Sequence, residues 1–184
     1  MKTNRILLAT LALLPLSLAA QERYMSRTGH ASFFSETKME NIEAHNHKAT
    51  AVFDASTGAI EMSMLIKAFE FEKALMQEHF NENYMESEKF PKATFKGTVS
   101  GLPAGALTKP GSFDVEVKGE LTIHGVTRTV TEKARFIVDG KGGIKAECAF
   151  KVKPEDHGIK IPGAVRNNIA EIIEVKLDVP FSKM

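Results

Sequence analysis

Residues 112–135 read SFDVEVKGELTIHGVTRTVTEKAR, and this stretch decides the fold. Phe113, Val115, Val117, Leu121 and Ile123 share one parity, while Asp114, Glu116, Lys118, Glu120 and Thr122 share the other. A period of two turns one face toward an apolar interior and the other toward water, as in a half-buried β-strand. Beyond His124-Gly125 the run continues through Val126, Val130, Ala134 and Phe136, mixed with threonine and charge. A His-Gly link between two long β-rich runs reads as a tight hairpin turn. Alternation held this long predicts an antiparallel all-β protein.

Working outward, the same test predicts about eight strands. Ile60, Met62, Met64 and Ile66 define the inner face of a third strand, and Phe95 and Val99 that of a short fourth one over Thr94–Ser100. Ile144–Val152 is a seventh strand carrying Ala146, Cys148 and Phe150 inward; Ile173, Val175, Leu177, Val179 and Phe181 mark the eighth. The first two, near Tyr24–Phe34 and Asn41–Phe53, alternate poorly, so their registers stay open. Gly97 on an inner face either leaves space or admits a close neighbour. Gly119 and Ala146 are further small inward positions.

Two segments leave the β pattern. Glu72–Tyr84 holds helix formers without Gly or Pro, with Met76, Phe80 and Tyr84 at four-residue spacing, and predicts a helix. A second short helix is expected from Pro162 or Gly163 to about Ala170. Gly101–Gly111 is a Pro/Gly-rich loop at a strand connection and, with the helix, a candidate gate to any interior space. Several strands of roughly 10–13 residues give a sheet about 30–40 Å tall. Eight such strands either stack as a sandwich or close into an extended lipocalin-like barrel, and a closed barrel of that size can enclose one small ligand.

The first twenty residues read as a secretory signal peptide: Lys2 and Arg5, an apolar run from Ile6 to Leu16, then Ser17, Ala19 and Ala20. That run is too short to span a bilayer. The expected product is one domain, residues 21–184, periplasmic or secreted. Losing Lys2 and Arg5 takes the formal charge from +1 to −1. A near-neutral chain with interspersed charges offers no footprint for nucleic acid. The single cysteine, Cys148, forms no internal disulfide; it reads as a small buried apolar residue, a reactive thiol being the other reading.

Three blocks then resemble a known family. They are His79-Phe80, Phe90-Pro91 and Ala93-Thr94-Phe95 within HFNENYMESEKFPKATFKG; Gly119–Thr127, matching G-x-L-T-I-x-G-V-T; and Asp156-His157-Gly158-Ile159, similar to a D-F-G-I element. In this order and spacing they resemble the YceI-like lipid- and polyisoprenoid-binding family. Two positions depart from it: Lys153-Pro154-Glu155 stands where an arginine is common, and His157 replaces an aromatic residue. The resemblance implies a commonly exported, lipocalin-like antiparallel barrel that takes up a long isoprenoid or related lipid, and it does not imply catalysis. The reading adopted is a carrier of an isoprenoid-type molecule, a quinone being one candidate, with no cofactor. Transient membrane contact for lipid exchange goes with that role.

Inward parity nominates Met62, Met64, Phe95, Phe113, Val115, Val117, Leu121, Ile123, Phe136, Cys148 and Phe150 as lipid-binding positions. The helix adds Met76, Phe80 and Tyr84 as a lid or a plug, and the family motif adds His79 and Phe90. The same inward residues also fit a dry core. Other functions stay in view: a carrier of fatty acid or amide lipid, and an exported metal-binding or stress-associated enzyme built on His45 and His47. Those two histidines share a strand face, and a third ligand, His30 or His79, would have to come through the fold. Against that, the pair reads as two polar residues on a solvated face, and His124 as turn chemistry.

Overall fold

The computed structural model describes residues 22–184; the expected leader, residues 1–20, lies outside them. Nine strands form among the described residues: β1 Arg23–Glu36, β2 Asn41–Asp54, β3 Ala59–Leu65, β4 Glu70–Phe71, β5 Lys92–Ser100, β6 Gly111–Ile123, β7 Val126–Val138, β8 Gly143–Val152 and β9 Ile173–Lys183. All pairings are antiparallel, in the order β1-β9-β8-β7-β6-β5-β3-β2, and β1 pairs with β2 to close the ring. The result is an eight-stranded barrel. The two-residue β4 is an addition, pairing with β2 at Ala44 and His45, beyond the stretch of β2 that β3 covers.

The β6–β7 hairpin keeps one register from Gly111–Val138 to Ile123–Val126. His124 and Gly125 both have positive φ, 51° and 74°, as the twist of a two-residue hairpin requires. A histidine in this conformation needs support. Its ring lies edge-on to Phe90, with centroids 4.4 Å apart, its Nδ1 faces the His157 carbonyl oxygen at 3.2 Å, and its Nε2 faces the Glu86 carboxylate at 2.8 Å. His157 is itself buried and its Nδ1 donates to the Val126 carbonyl. The D-F-G-I-like element therefore clamps the hairpin tip.

β1 and β2 fail to alternate because their pairing is bulged. The register shifts between Ser26 and Gly29, and again between Gly29 and Ala31. Each extra residue flips the parity, so inward positions run Tyr24, Ser26, then Gly29, Ala31 on one strand and Ala44, Asn46, then Ala49, Ala51, Phe53 on the other. Asn46 serves the irregularity: its amide donates to the Leu65 carbonyl and its Oδ1 accepts from the Lys48 N–H. On the outer face the bulge gathers His30, His45 and His47. The rings of His30 and His47 stack 4.4 Å apart, and His30 Nε2 lies 3.1 Å from His45 Nδ1.

The interior divides into two halves. At one end Tyr24, Phe53, Val115, Phe136, Ile144 and Phe181 form a packed core, with Phe113, Leu102 and Leu107 against it. The Gly101–Gly111 loop seals this floor, its Ala106 buried. At the other end, the mouth, α1 (Ala74–His79) continues into a π-helical turn over Phe80–Tyr84, so the expected helix is present but shorter and in two forms. The expected helix after Pro162 is overturned. Only one 3-10 turn forms, Gly163–Val165. Gly163, Asn167 and Asn168 are poor helix formers, and the chain is tied down instead by the Ala170 N–H donating to Ser35 Oγ and by Arg166 pairing with Glu155 and Glu171.

Gly97 and Gly119 face one another across β5 and β6. A Cβ on Gly119 would collide with the Lys96 carbonyl oxygen and come within 2.8 Å of the Phe95 ring. Of the two readings of Gly97, the close neighbour is the one found: the Phe95 ring lies over the glycine pair. Gly119→Ala is expected to destabilise the fold by about 1–3 kcal/mol, as forced overpacking does; urea unfolding measures it, and an unchanged midpoint would contradict the close approach.

The histidine stack makes a second prediction. Partial burial holds the His30 imidazole below its ordinary value near 6.5, and the charges of His47 and His45 push the same way, against a raising pull from Asp178. Glu43 is the other charged neighbour, 3.5 Å from His45. The unfolded chain then takes up a proton before the folded one, so stability present above about pH 6.5 is lost as pH falls through the lower value. Thermal midpoints between about pH 7 and pH 5 should fall less steeply in His30→Gln than in the parent.

Candidate functional site

Above the packed floor the barrel is hollow. A cavity of about 380 Å³ is walled by residues from all eight barrel strands, within the ~300–1,000 Å³ of sites that enclose a small ligand. Its wall is almost wholly aliphatic and aromatic. Met62 and Met64 of β3, Phe95 of β5, Val117, Leu121 and Ile123 of β6, and Cys148 and Phe150 of β8 all face it; Phe136 forms part of its bottom. At the mouth stand Met76, His79, Phe80 and Tyr84.

Three nominated positions lie elsewhere. Phe113 and Val115 share the inward parity of β6, but they sit below the cavity, inside the packed floor. Phe90 is not on the wall either. It grips the hairpin tip, where a Cβ on Gly125 would strike its ring. Gly119 also falls outside the wall, being covered by Phe95, whereas Ala146 is on it. Parity tells inside from outside; it does not tell a filled level of a barrel from an empty one.

Phe80 closes the mouth by inserting into an aromatic cage. Its ring lies 5.4 Å from Phe33, 5.7 Å from Phe69 and 5.0 Å from Phe71. Such pairs contribute about 0.5–1.5 kcal/mol each beyond area burial. None of the three partners is evident from sequence, since Phe33 lies past the bulge of β1 and Phe69–Phe71 span a turn and the two-residue β4. Desolvation at the mouth raises the Tyr84 hydroxyl above its usual range.

The polar groups on the wall are few. Glu40 pairs with Lys73 at 3.5 Å and accepts from Asn168. Burial, with a smaller contribution from the charge of Glu132, pushes the Cys148 thiol up to about 11, so it stays protonated and donates to the Lys133 carbonyl at 3.4 Å. A protonated thiol behaves as a small apolar wall residue. Glu132 went unnoticed in the sequence, although it shares parity with Val130, Ala134 and Phe136 and faces the cavity with them.

The histidine cluster is distant from this chemistry, on the outer surface of β1 and β2. His30 does arrive beside His45 and His47 through the fold. Its ring nevertheless lies nearly coplanar in direction with theirs, at interplanar angles of 16° and 5°. In-plane lone pairs of stacked rings do not converge on one ion, and among the described residues no group of three His, Cys, Asp or Glu is placed to hold a metal.

Comparison with known proteins agrees with this architecture. A UPF0312 protein of Pseudomonas putida (strain W619) is 34% identical over 99 residues, 51% of this chain and 48% of that protein. One from Vibrio cholerae (strain O395) is 34% identical over 87 residues, 45% and 42% of the two chains. The matched segment thus spans about half the length of these relatives. Among solved structures, a polyisoprenoid binding domain from Saccharophagus degradans implicated in plant cell wall breakdown superposes with a TM-score of 0.77 at 13% identity, covering 89% of this chain and 99% of that one. BcnA from Burkholderia cenocepacia gives 0.69 at 19% identity, covering 83% and 95%. At such identities the likeness is one of fold. The family model for the YceI-like domain matches residues 24–181, nearly the whole described chain, and the protein belongs to that family.

Proposed function

We propose that this protein is an exported carrier that holds a long apolar isoprenoid-type lipid in the barrel cavity. The observation that carries the reading is a hollow with an aliphatic and aromatic wall, sealed at one end by a packed core and covered at the other by a short helix. Each buried methylene contributes about 0.8 kcal/mol, so a chain of ten carbons would gain several kcal/mol without any polar contact. The structural neighbour from Saccharophagus degradans is described as a polyisoprenoid binding domain, which supports the same ligand class here. The basic, then apolar, then small-residue leader supports export to the periplasm or beyond. The role is binding, not catalysis.

Loading and release proceed through the mouth. Met39, Leu75 and Ile172 are exposed at 70%, 61% and 55%. They project from the β1–β2 turn, from α1 and from the approach to β9, segments joined around Glu40 by Lys73 and Asn168. Transient contact of this apolar rim with a membrane would deliver lipid to Phe80. The floor loop, Gly101–Gly111, rests on the packed core through Leu102 and Leu107 and serves no gate in this reading.

Native mass spectrometry of gently purified protein is expected to show a co-purified lipid. Ala146→Phe places a large ring in the cavity wall, and it should lower lipid content several-fold while costing about 1–3 kcal/mol of stability. Lipid content equal to the parent's would remove the cavity as the binding site. Phe80→Ala takes away the half-buried ring at the centre of the cage. It should cost about 2–3 kcal/mol, less than a fully buried Phe, and it should speed lipid exchange with vesicles at a temperature where the fold is intact. Exchange at the parental rate would make the helix a fixed plug.

A further inference from the structure

The carboxylate of Glu132 stands in a place where an apolar wall has no use for one. It is half-buried, it faces the cavity between Val130 and Ala134, and its cross-strand neighbour is Val117. The other acidic wall residue, Glu40, is paired with Lys73 and Asn168; Glu132 has no ion pair or hydrogen bond among the described residues. A carboxylate without a partner, set among apolar side chains on a cavity wall, can accept from a donor outside the chain.

The surrounding backbone gives such a donor a place to sit. The β7–β8 ladder runs from Val138–Ile144 only as far as Ala134–Cys148. From there to the mouth β8 stays with β9, through Val152–Ile173, while β7 stays with β6. β7 is caught again at its far end, where Val126 accepts from His157 and Arg128 donates to the Asp156 carbonyl. Between these ties the two strands part, and Glu132 lies just above the point of parting, where the Cys148 thiol has taken up the Lys133 carbonyl. The parted seam is thus lined by a carboxylate, a neutral thiol and apolar side chains.

We propose that Glu132 is the head-group anchor and specificity determinant of the cavity. It accepts a hydrogen bond from a lipid whose polar end is a donor, such as an alcohol, amide or ammonium group, and it rejects lipids ending in phosphate or carboxylate. This rests on the lipid-carrier reading above. The physical ground is the asymmetry of a single half-buried charge on an apolar wall. A hydroxyl satisfies the carboxylate by a charge-assisted hydrogen bond, while a phosphate oxygen placed there adds like-charge repulsion to a second desolvation. The apolar chain would extend from the seam toward the mouth along Leu121, Ile123 and Phe150.

Two probes with the same tail test this: geranylgeraniol and geranylgeranyl phosphate, titrated into delipidated protein and read by native mass spectrometry and competition fluorescence. Because the alcohol is intrinsically the more apolar, the diagnostic quantity is the change in the alcohol-to-phosphate affinity ratio on mutation. Glu132→Gln, close in size and uncharged, and Glu132→Leu should each lower that ratio by about tenfold or more, the worth of a hydrogen bond to a charged group, chiefly by admitting the phosphate. A ratio unchanged within about threefold in both folded variants would overturn the anchor while leaving the cavity as the lipid site. A parent protein that takes up neither probe would overturn the carrier reading itself, and the anchor with it.

Discussion

The edge-to-face contact between Phe53 and Phe136, with centroids 5.2 Å apart, determines where this barrel is solid and where it is hollow. Phe181 and Tyr24 lean on the same ring at 6.4 and 6.3 Å. Four aromatic side chains from β1, β2, β7 and β9 thus meet across the barrel and fill it from wall to wall. A closed barrel needs some such filling, because strands joined only by their ladders leave an interior that water would otherwise enter. Concentrating it at one level frees the rest. Just above Phe136 the inward residues of β7 and β8 shrink to Ala134, Ala146 and Cys148, and the rings of Phe95 and Phe150 line the cavity wall below the Phe80 cage at the mouth.

That division also explains the placement of the weak seam. β7 and β8 are firmly laddered alongside the aromatic floor and separate as soon as the floor ends. The side chains at the point of parting are small or, at Glu132, charged, so little packing pulls the strands together there. The freed Lys133 carbonyl is answered by a thiol, a weaker donor than a backbone N–H, and the next fixed point lies at Val126. A wall built in this way can yield locally while the floor and the hairpin tip hold the register at both ends.

The sequence carried the parts of this structure that repeat with period two. The β6–β7 hairpin, its His-Gly turn and the inner faces of β3, β5, β8 and β9 are all legible from alternation, because in each the register is unbroken along the strand. β1 and β2 are not, since two bulges reverse their parity midway, and the reason for the reversal, Asn46 bonded to Leu65, is a contact between distant residues. The depth of a residue is equally hidden. Val115 and Val117 look alike in sequence, but Val115 belongs to the buried core cluster with Phe136 and Val117 faces the cavity. Phe90 was placed by its motif and not by its packing, and only the fold shows that it supports a strained turn. The inward place of Glu132 was legible after all: it occupies an inward position of an alternating strand, and a charge there breaks the pattern.

The mouth is where low stability and function meet. α1 has six residues, no side-chain N-cap and no buried residue, and a helix of that length does not stand by itself in water. What retains it is the Phe80 ring among Phe33, Phe69 and Phe71, carried on a π-helical turn that brings Met76, Phe80 and Tyr84 to one side. Those three cage rings come from β1, from the turn after β3 and from β4, not from the helix, so in the proposed lid opening they would stay behind. Removing Phe80 from it exposes an apolar socket at the rim, beside Met76 and Tyr84, at the entrance to the cavity. A chain end arriving there would meet aromatic faces left vacant by the departing ring, and could replace its contacts in part as the lid opens. Opening and loading would then be coupled through one set of contacts, without need of a second moving part.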